Sequence, residues 1–91
     1  RSNFNQDIGS WNVSKVTKMN QMFNFSTFNQ NIGAWDVSSV NEMYSMFYQA
    51  TAFNQDISNW CVTNIVSEPT YFSTSSPLSE SNKPVWGTCP D

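Results

Sequence analysis

The chain has no histidine, one leucine (Leu78), three glycines and two cysteines, and only 12% of its 91 residues are charged. Each shortage excludes a class of chemistry. Without histidine the chain can build no His-dependent triad and no imidazole metal ligand, and two thiols cannot complete a four-thiolate zinc site. Four Lys+Arg against seven Asp+Glu give a net charge of −3, so there is no basic footprint for nucleic acid or anionic lipid. No run approaches the roughly 20 apolar residues of a membrane-spanning helix, which argues against membrane insertion by this segment. The sequence opens at Arg1 and shows no signal peptide, so it reads as a mature product or a fragment of something longer.

What the chain does have is polar side chains without charge: 12 Asn, 5 Gln, 14 Ser and 7 Thr. Beside them stand seven Phe, four Trp, three Tyr and four Met. Disordered chains are poor in such large apolar groups, so a folded domain is expected. At this length it is one small domain, whose ordinary core would be marginal.

Internal repetition supplies the organisation. Phe4, Phe28 and Phe53 head the strings FNQDIGSWNVS, FNQNIGAWDVS and FNQDISNWCVT, in steps of 24 and 25 residues. The same step links Ile8, Ile32 and Ile57; Trp11, Trp35 and Trp60; Val13, Val37 and Val62; and Val16, Val40 and Ile65. Behind them come Met19 with Met43, then Met22, Met46 and Tyr71, and then Phe23, Phe47 and Phe72. The repeats are placed at 4–27, 28–52 and 53–77, with a decayed capping unit at 78–91, in a single domain 1–91 that is expected to be the C-terminal end of a longer array.

Within each unit the hydrophobic period changes. Trp-x-Val alternates as a short strand does, whereas residues 16, 19, 22 and 23, and again 40, 43, 46 and 47, fall on one face of a short helix. Ser39 with Glu42 fits a capping box, and Glu68 and Pro69 shorten the third helix. A unit of this kind cannot bury its own apolar face, but stacked copies can. The expected fold is therefore α/β: a leucine-rich-repeat-like solenoid of short parallel strands and short helices, with a C-terminal cap.

Ile8, Trp11, Val13 and Val16 match the apolar positions of the leucine-rich repeat. The longer strings FNQDIGSWNVSKVTKMNQMF and FNQNIGAWDVSSVNEMYSMF resemble a bacterial surface-protein repeat of about 25–26 residues. That repeat occurs in mycoplasma and listerial lipoproteins and is often grouped with BspA-like leucine-rich repeats. The resemblance covers roughly residues 4 to 72. It implies an extracellular, cell-surface module concerned with adhesion or binding, and it brings no catalytic residues and no cofactor.

The ending departs from the pattern after Val62. Leu78, Val85 and Trp86 are suited to covering the last unit, and Pro69, Pro77, Pro84 and Pro90 discourage further strand addition. Cys61 occupies the Asn12/Asp36 column and Cys89 lies near the end of the cap. A disulfide between them would staple the cap in place, contributing on the order of 3.5 kcal/mol in the chain-entropy model, and implies an oxidising compartment. The alternative, a reactive thiol, lacks a basic neighbour to lower its pKa.

Candidate sites follow from the columns. Asn5, Asn29 and Asn54, with Gln6, Gln30 and Gln55, either bind a polar ligand or form a ladder that pairs backbone groups in the turns. Asp7, Asn31 and Asp56 either offer oxygen ligands to Ca²⁺ or serve as turn and cap residues. Catalysis would need a second acid at a set distance from Asp36, and none is evident, so no catalytic or metal site is assigned. The outward positions of the expected strands form the candidate binding face: Ser10, Asn12, Ser14, Ala34, Asp36, Ser38, Asn59 and Thr63. Tyr44 and Tyr48, i,i+4 on the expected second helix, form a candidate aromatic contact patch or pack between helices. Asn12 and Asn24 head glycosylation sequons.

The function expected is a non-enzymatic cell-surface module that binds protein or glycan. A self-assembling structural protein, pairing with further copies of itself, is the alternative, and an ice- or mineral-binding array is a weaker one.

Overall fold

A computed structural model describes residues 3–90. Arg1, Ser2 and Asp91, which the domain 1–91 and the capping unit 78–91 include, lie outside the described residues. The path of each unit is set first by its turns. Trp11, Trp35 and Trp60 N–H groups donate to the carbonyls three residues back, of Ile8, Ile32 and Ile57, at 3.0, 3.1 and 3.1 Å. A second turn follows at once, with Val16, Val40 and Ile65 donating to Val13, Val37 and Val62, each at 3.0 Å. The side-chain oxygens of Asp7, Asn31 and Asp56 accept the N–H two residues on, at 3.1, 2.9 and 2.9 Å, and Asn12 and Asp36 do the same for Ser14 and Ser38, at 3.1 and 3.1 Å. These are Asx turns, the local bond that lets Asp and Asn compete with regular structure.

The α/β leucine-rich-repeat-like solenoid is therefore corrected. Among the described residues there is no α-helix and no β-sheet; the regular structure is a 3-10 helix at Glu80–Asn82 and isolated bridge contacts such as the parallel Lys18–Glu42 pair. The Trp-x-Val segment is only the link between two turns, too short to build a ladder. The expected helices at residues 16–23 and 40–47 fail for a different reason. Alternate N–H groups do not turn back onto their own segment but bond to a neighbouring unit.

Asn41 N–H donates to the Thr17 carbonyl at 2.8 Å. Met19, Gln21, Phe23 and Phe25 N–H then donate to the carbonyls of Glu42, Tyr44, Met46 and Tyr48, at 2.8, 2.9, 2.9 and 2.9 Å. The second unit treats the third alike: Ser45, Phe47 and Gln49 donate to Thr70, Phe72 and Thr74, at 2.9, 2.8 and 2.8 Å. Positive φ recurs in each unit, at Gln21, Ser45 and Tyr71 (61°, 55° and 54°) and at Phe25, Gln49 and Ser75 (54°, 53° and 62°), with the third unit's residues one place beyond the sequence step of 25. Left-handed backbone costs a residue with a Cβ about 1–2 kcal/mol. In these segments alternate residues donate to one side and the residues between them accept from the other, and the cross-unit bonds offset the strain.

The units thus lie against one another at the step read from the sequence, and their apolar columns meet. Phe4, Phe28 and Phe53 stack at 5.8 and 6.1 Å between ring centroids; Phe23 and Phe47 lie 4.1 Å from Phe28 and Phe53, and 5.7 Å from each other. Phe72 and Trp86 close this spine edge to face, at 4.9 Å. The Trp35 and Trp60 indoles each donate to a carbonyl of the preceding unit, Ile8 and Ile32, both at 3.0 Å. Units also approach closely at the glycine column. A Cβ at Gly33 would stand 2.6 Å from the Asp56 carbonyl oxygen, and one at Gly9 2.5 Å from that of Asn31. At the far end, Ile57 and Val62 donate to Asn82 and Thr88 of the cap, at 3.0 and 2.9 Å, and Cys61 is disulfide-bonded to Cys89 as expected.

Two substitutions test this account by denaturant midpoint. Gly33→Ala forces two units apart against backbone and is expected to cost about 1–3 kcal/mol. Ser75→Gly relieves a left-handed serine and is expected to raise stability, by up to about 1 kcal/mol. An unchanged midpoint in both would contradict the close approach and the strain.

Candidate functional site

The Asn columns form a ladder along the units. Asn5 Oδ1 accepts the Asn29 N–H at 2.8 Å and the Gln30 side-chain amide at 3.2 Å. Asn29 Oδ1 repeats this with Asn54 N–H and Gln55, at 3.1 and 3.0 Å, and Asn54 Oδ1 takes the Ser79 N–H and the Asn82 amide of the cap, at 3.2 and 3.0 Å. These groups are engaged in holding units together, which leaves the surface beside them as the place for a ligand.

That surface carries a polar groove of about 390 Å³ between the second and third units, lined by Asn31, Gly33, Ala34, Gln55, Asp56 and Asn59. The Asx turn at Asn31 and the absence of a side chain at Gly33 open it. On its far wall Gln55 is tied back through its nitrogen to the Asn29 backbone and side-chain oxygens, at 3.2 and 3.0 Å. Asp56 Oδ1 accepts from the Ser58 hydroxyl and amide at 2.5 and 2.9 Å. Among the described residues, the Asn31 amide nitrogen, the Gln55 oxygen, the second Asp56 oxygen and the Asn59 amide make no hydrogen bond within the chain. The groove therefore offers donors and acceptors side by side, with one carboxylate.

The candidate binding face is rearranged, because no strand carries it. Ser10, Ala34, Asn59 and Thr63 are exposed at turns, and only Ala34 and Asn59 line the groove. Asn12 and Asp36 are exposed, but each holds its neighbouring serine: Ser14 and Ser38 hydroxyls donate to them at 2.7 and 2.6 Å. Those four side chains shape turns. In the third unit Cys61 takes this column, and its disulfide stands where the other units have the Asx bond. Tyr44 and Tyr48 share no helix; Tyr44 is exposed, and Tyr48 is half-buried between Phe25 and Tyr71, at 5.3 and 5.6 Å. Asn31, Gln55 and Asp56, whose columns the sequence leaves open between ligand contact and turn or ladder roles, lie outside the candidate binding face yet line the groove. Among the described residues no cluster of three acidic or thiol groups is placed to hold a metal ion, and none of their helices is long and apolar enough to cross a membrane.

The electrostatics follow the turns. The Ser38 hydroxyl, then its amide, hold the Asp36 carboxyl below the ordinary aspartate range, and Ser58 does the same for Asp56. Glu42 is lowered by the Asn20 amide and then by Lys18, at 2.9 and 3.0 Å.

Against this geometry the chain can be placed. Its units are tandem repeats of one supersecondary pattern, edge-paired and closed by a cap. The family described as Mycoplasma protein of unknown function, DUF285, matches residues 1–86, and the chain belongs to that family. This supports the mycoplasma side of the resemblance and not a BspA-like leucine-rich repeat. No curated protein and no solved structure matches the chain.

A depressed carboxyl stabilises the fold above its unfolded pKa, ~3.9 for aspartate, and that contribution is lost as pH falls through the folded value. Stability is thus expected to drop on acidification below about pH 4. The double variant Asp36→Asn/Asp56→Asn keeps the turn acceptors, as Asn12 and Asn31 do, and should show a shallower drop in urea titrations at successive pH values. Identical acid profiles would show that these two carboxyls are not depressed.

Proposed function

We propose that the chain is a non-enzymatic binding module of the cell exterior whose ligand is a glycan. The observation that carries this reading is the groove at Asn31, Asp56 and Asn59. A sugar hydroxyl both donates and accepts, and a cluster of free amides beside one carboxylate meets both needs at once. Asp56 is the one carboxylate lining that groove, whereas glycoside hydrolysis in its usual form takes a pair. The Cys61–Cys89 disulfide supports an oxidising, extracellular setting. A glycan array followed by titration of a hit oligosaccharide tests the proposal. Asp56→Asn, which preserves the turn, and Asn59→Ala should each weaken binding about tenfold, the loss of one or two good hydrogen bonds. Absence of any array hit, or hits indifferent to both variants, would overturn it.

Self-association is a second reading, favoured by one end of the molecule. Trp11 is 54% exposed where its counterparts Trp35 and Trp60 are 4% and 1%, and Phe4, Val16 and Met22 are exposed where Phe28, Val40 and Met46 are buried. Growth in mass with concentration in sedimentation runs, suppressed by Trp11→Ser, would support it; a monomer at all concentrations would not.

A further inference from the structure

In the first two units one row of backbone N–H groups always meets carbonyls of the following unit. Gln21, Phe23 and Phe25 meet the second unit, and Ser45, Phe47 and Gln49 meet the third. Left-handed residues mark the same row in the third unit at Tyr71 and Ser75, with Ser73 between them, one residue beyond the step of 25. The cap supplies only half of a fourth layer. It pairs with Ile57 and Val62 but not with this row, and among the described residues the N–H groups of Tyr71, Ser73 and Ser75 make no hydrogen bond. A pocket of about 380 Å³ adjoins the first two, with Tyr71, Phe72, Ser73 and Thr74 in its lining together with Glu68 and Lys83.

The chemistry of the pocket narrows what it takes. A row of backbone N–H groups with alternating handedness can hold either an anion or the carbonyls of an extended chain. The one cation in the lining is already neutralised: Lys83 is bonded to Glu68 and Glu80, at 2.8 and 2.5 Å, so the three side chains together carry excess negative charge. A phosphate would face those carboxylates without a free counter-charge. Carbonyl oxygens would not, and carbonyls are what the same columns hold twice over at 2.8–2.9 Å within this chain. Tyr71 adds a side-chain contact. It is 61% exposed and ends the row Phe25–Tyr48–Tyr71, whose rings are 5.3 and 5.6 Å apart, so an arriving aromatic would extend the row.

We infer that this edge is a docking site for an extended peptide segment of the repeat type, whose alternate carbonyls accept from Tyr71, Ser73 and Ser75 as those of Tyr44, Met46 and Tyr48 accept from the first unit. The site lies apart from the glycan groove and does not depend on it.

The probe is a synthetic peptide of residues 41–50, titrated into the isotope-labelled chain and followed by amide shifts and hydrogen exchange. The Tyr71, Ser73 and Ser75 amides should shift together and saturate. With free peptide at ten times its Kd, their exchange should slow about tenfold, by mass action. A scrambled peptide should leave them unmoved, and Ser73→Pro, which deletes the central donor, should weaken binding; should that variant fail to fold, the exchange data on the natural chain stand alone as the test. Three results would overturn the inference: no shift with millimolar peptide, shifts confined to the Phe4–Trp11 end, or a response to inorganic phosphate and not to peptide. Oligosaccharide binding at Asp56 and Asn59 is read on different amides, so either proposal can fail alone.

Discussion

The structure depends on a one-directional hydrogen-bonded seam. Along residues 19–25 and 45–49 every second N–H group donates to the following unit, while every second carbonyl of 42–48 and 70–74 accepts from the preceding one. A right-handed helix would use those donors within its own segment, and an ordinary strand would alternate donors and acceptors on each edge. Here left-handed residues at fixed intervals sort them by side. The arrangement is strained for Gln, Phe, Ser and Tyr, so each unit is held by its neighbour and has little stability alone. Repeat proteins commonly gain stability through such interfaces.

The seam fixes the distance at which side chains meet, and the other columns answer to it. Stacked phenylalanines fill the space between units, indole N–H groups of Trp35 and Trp60 reach back to the unit before, and Gly9 and Gly33 permit contact where a methyl group would collide with backbone. Ser58 stands in the glycine column only in the last unit, where the cap and not another repeat follows. The low charge of the chain has the same origin. Amide and hydroxyl side chains satisfy turn and ladder groups at close quarters without the desolvation cost of ions. The groove and the open N–H edge are both by-products of this construction, one where an absent side chain leaves a gap, the other where the half-layer of the cap stops.

Much of this was legible in the residues. The step of 24 and 25, the columns that share a role and the pairing of Cys61 with Cys89 could be read because each rests on repetition or on simple counting. The helices and strands could not. The spacing of Val16, Met19, Met22 and Phe23 suits one helical face, but a segment of only eight residues carries little helical stability of its own. The same residues serve as well on an irregular edge whose partner lies two dozen residues away. The binding face inherited that error. Asn12, Ser14, Asp36 and Ser38 have the alternation of a strand edge but bond in pairs within turns, Asn12 with Ser14 and Asp36 with Ser38.

The sequence by itself determined that the chain repeats, which residues are equivalent, and that its chemistry is one of amides, hydroxyls and aromatic rings; identity of residue type at a constant step is enough for that. Tertiary structure alone decided the backbone conformation, because left-handed φ at Gln21, Phe25, Ser45 and Gln49 has no signal in the local sequence and goes with N–H groups that bond to carbonyls about two dozen residues away. It also decided which polar atoms are left over for a ligand. Asn29 and Asn31 are the same side chain two positions apart, and only the packing of the next unit joins one to the ladder and turns the other toward an open groove.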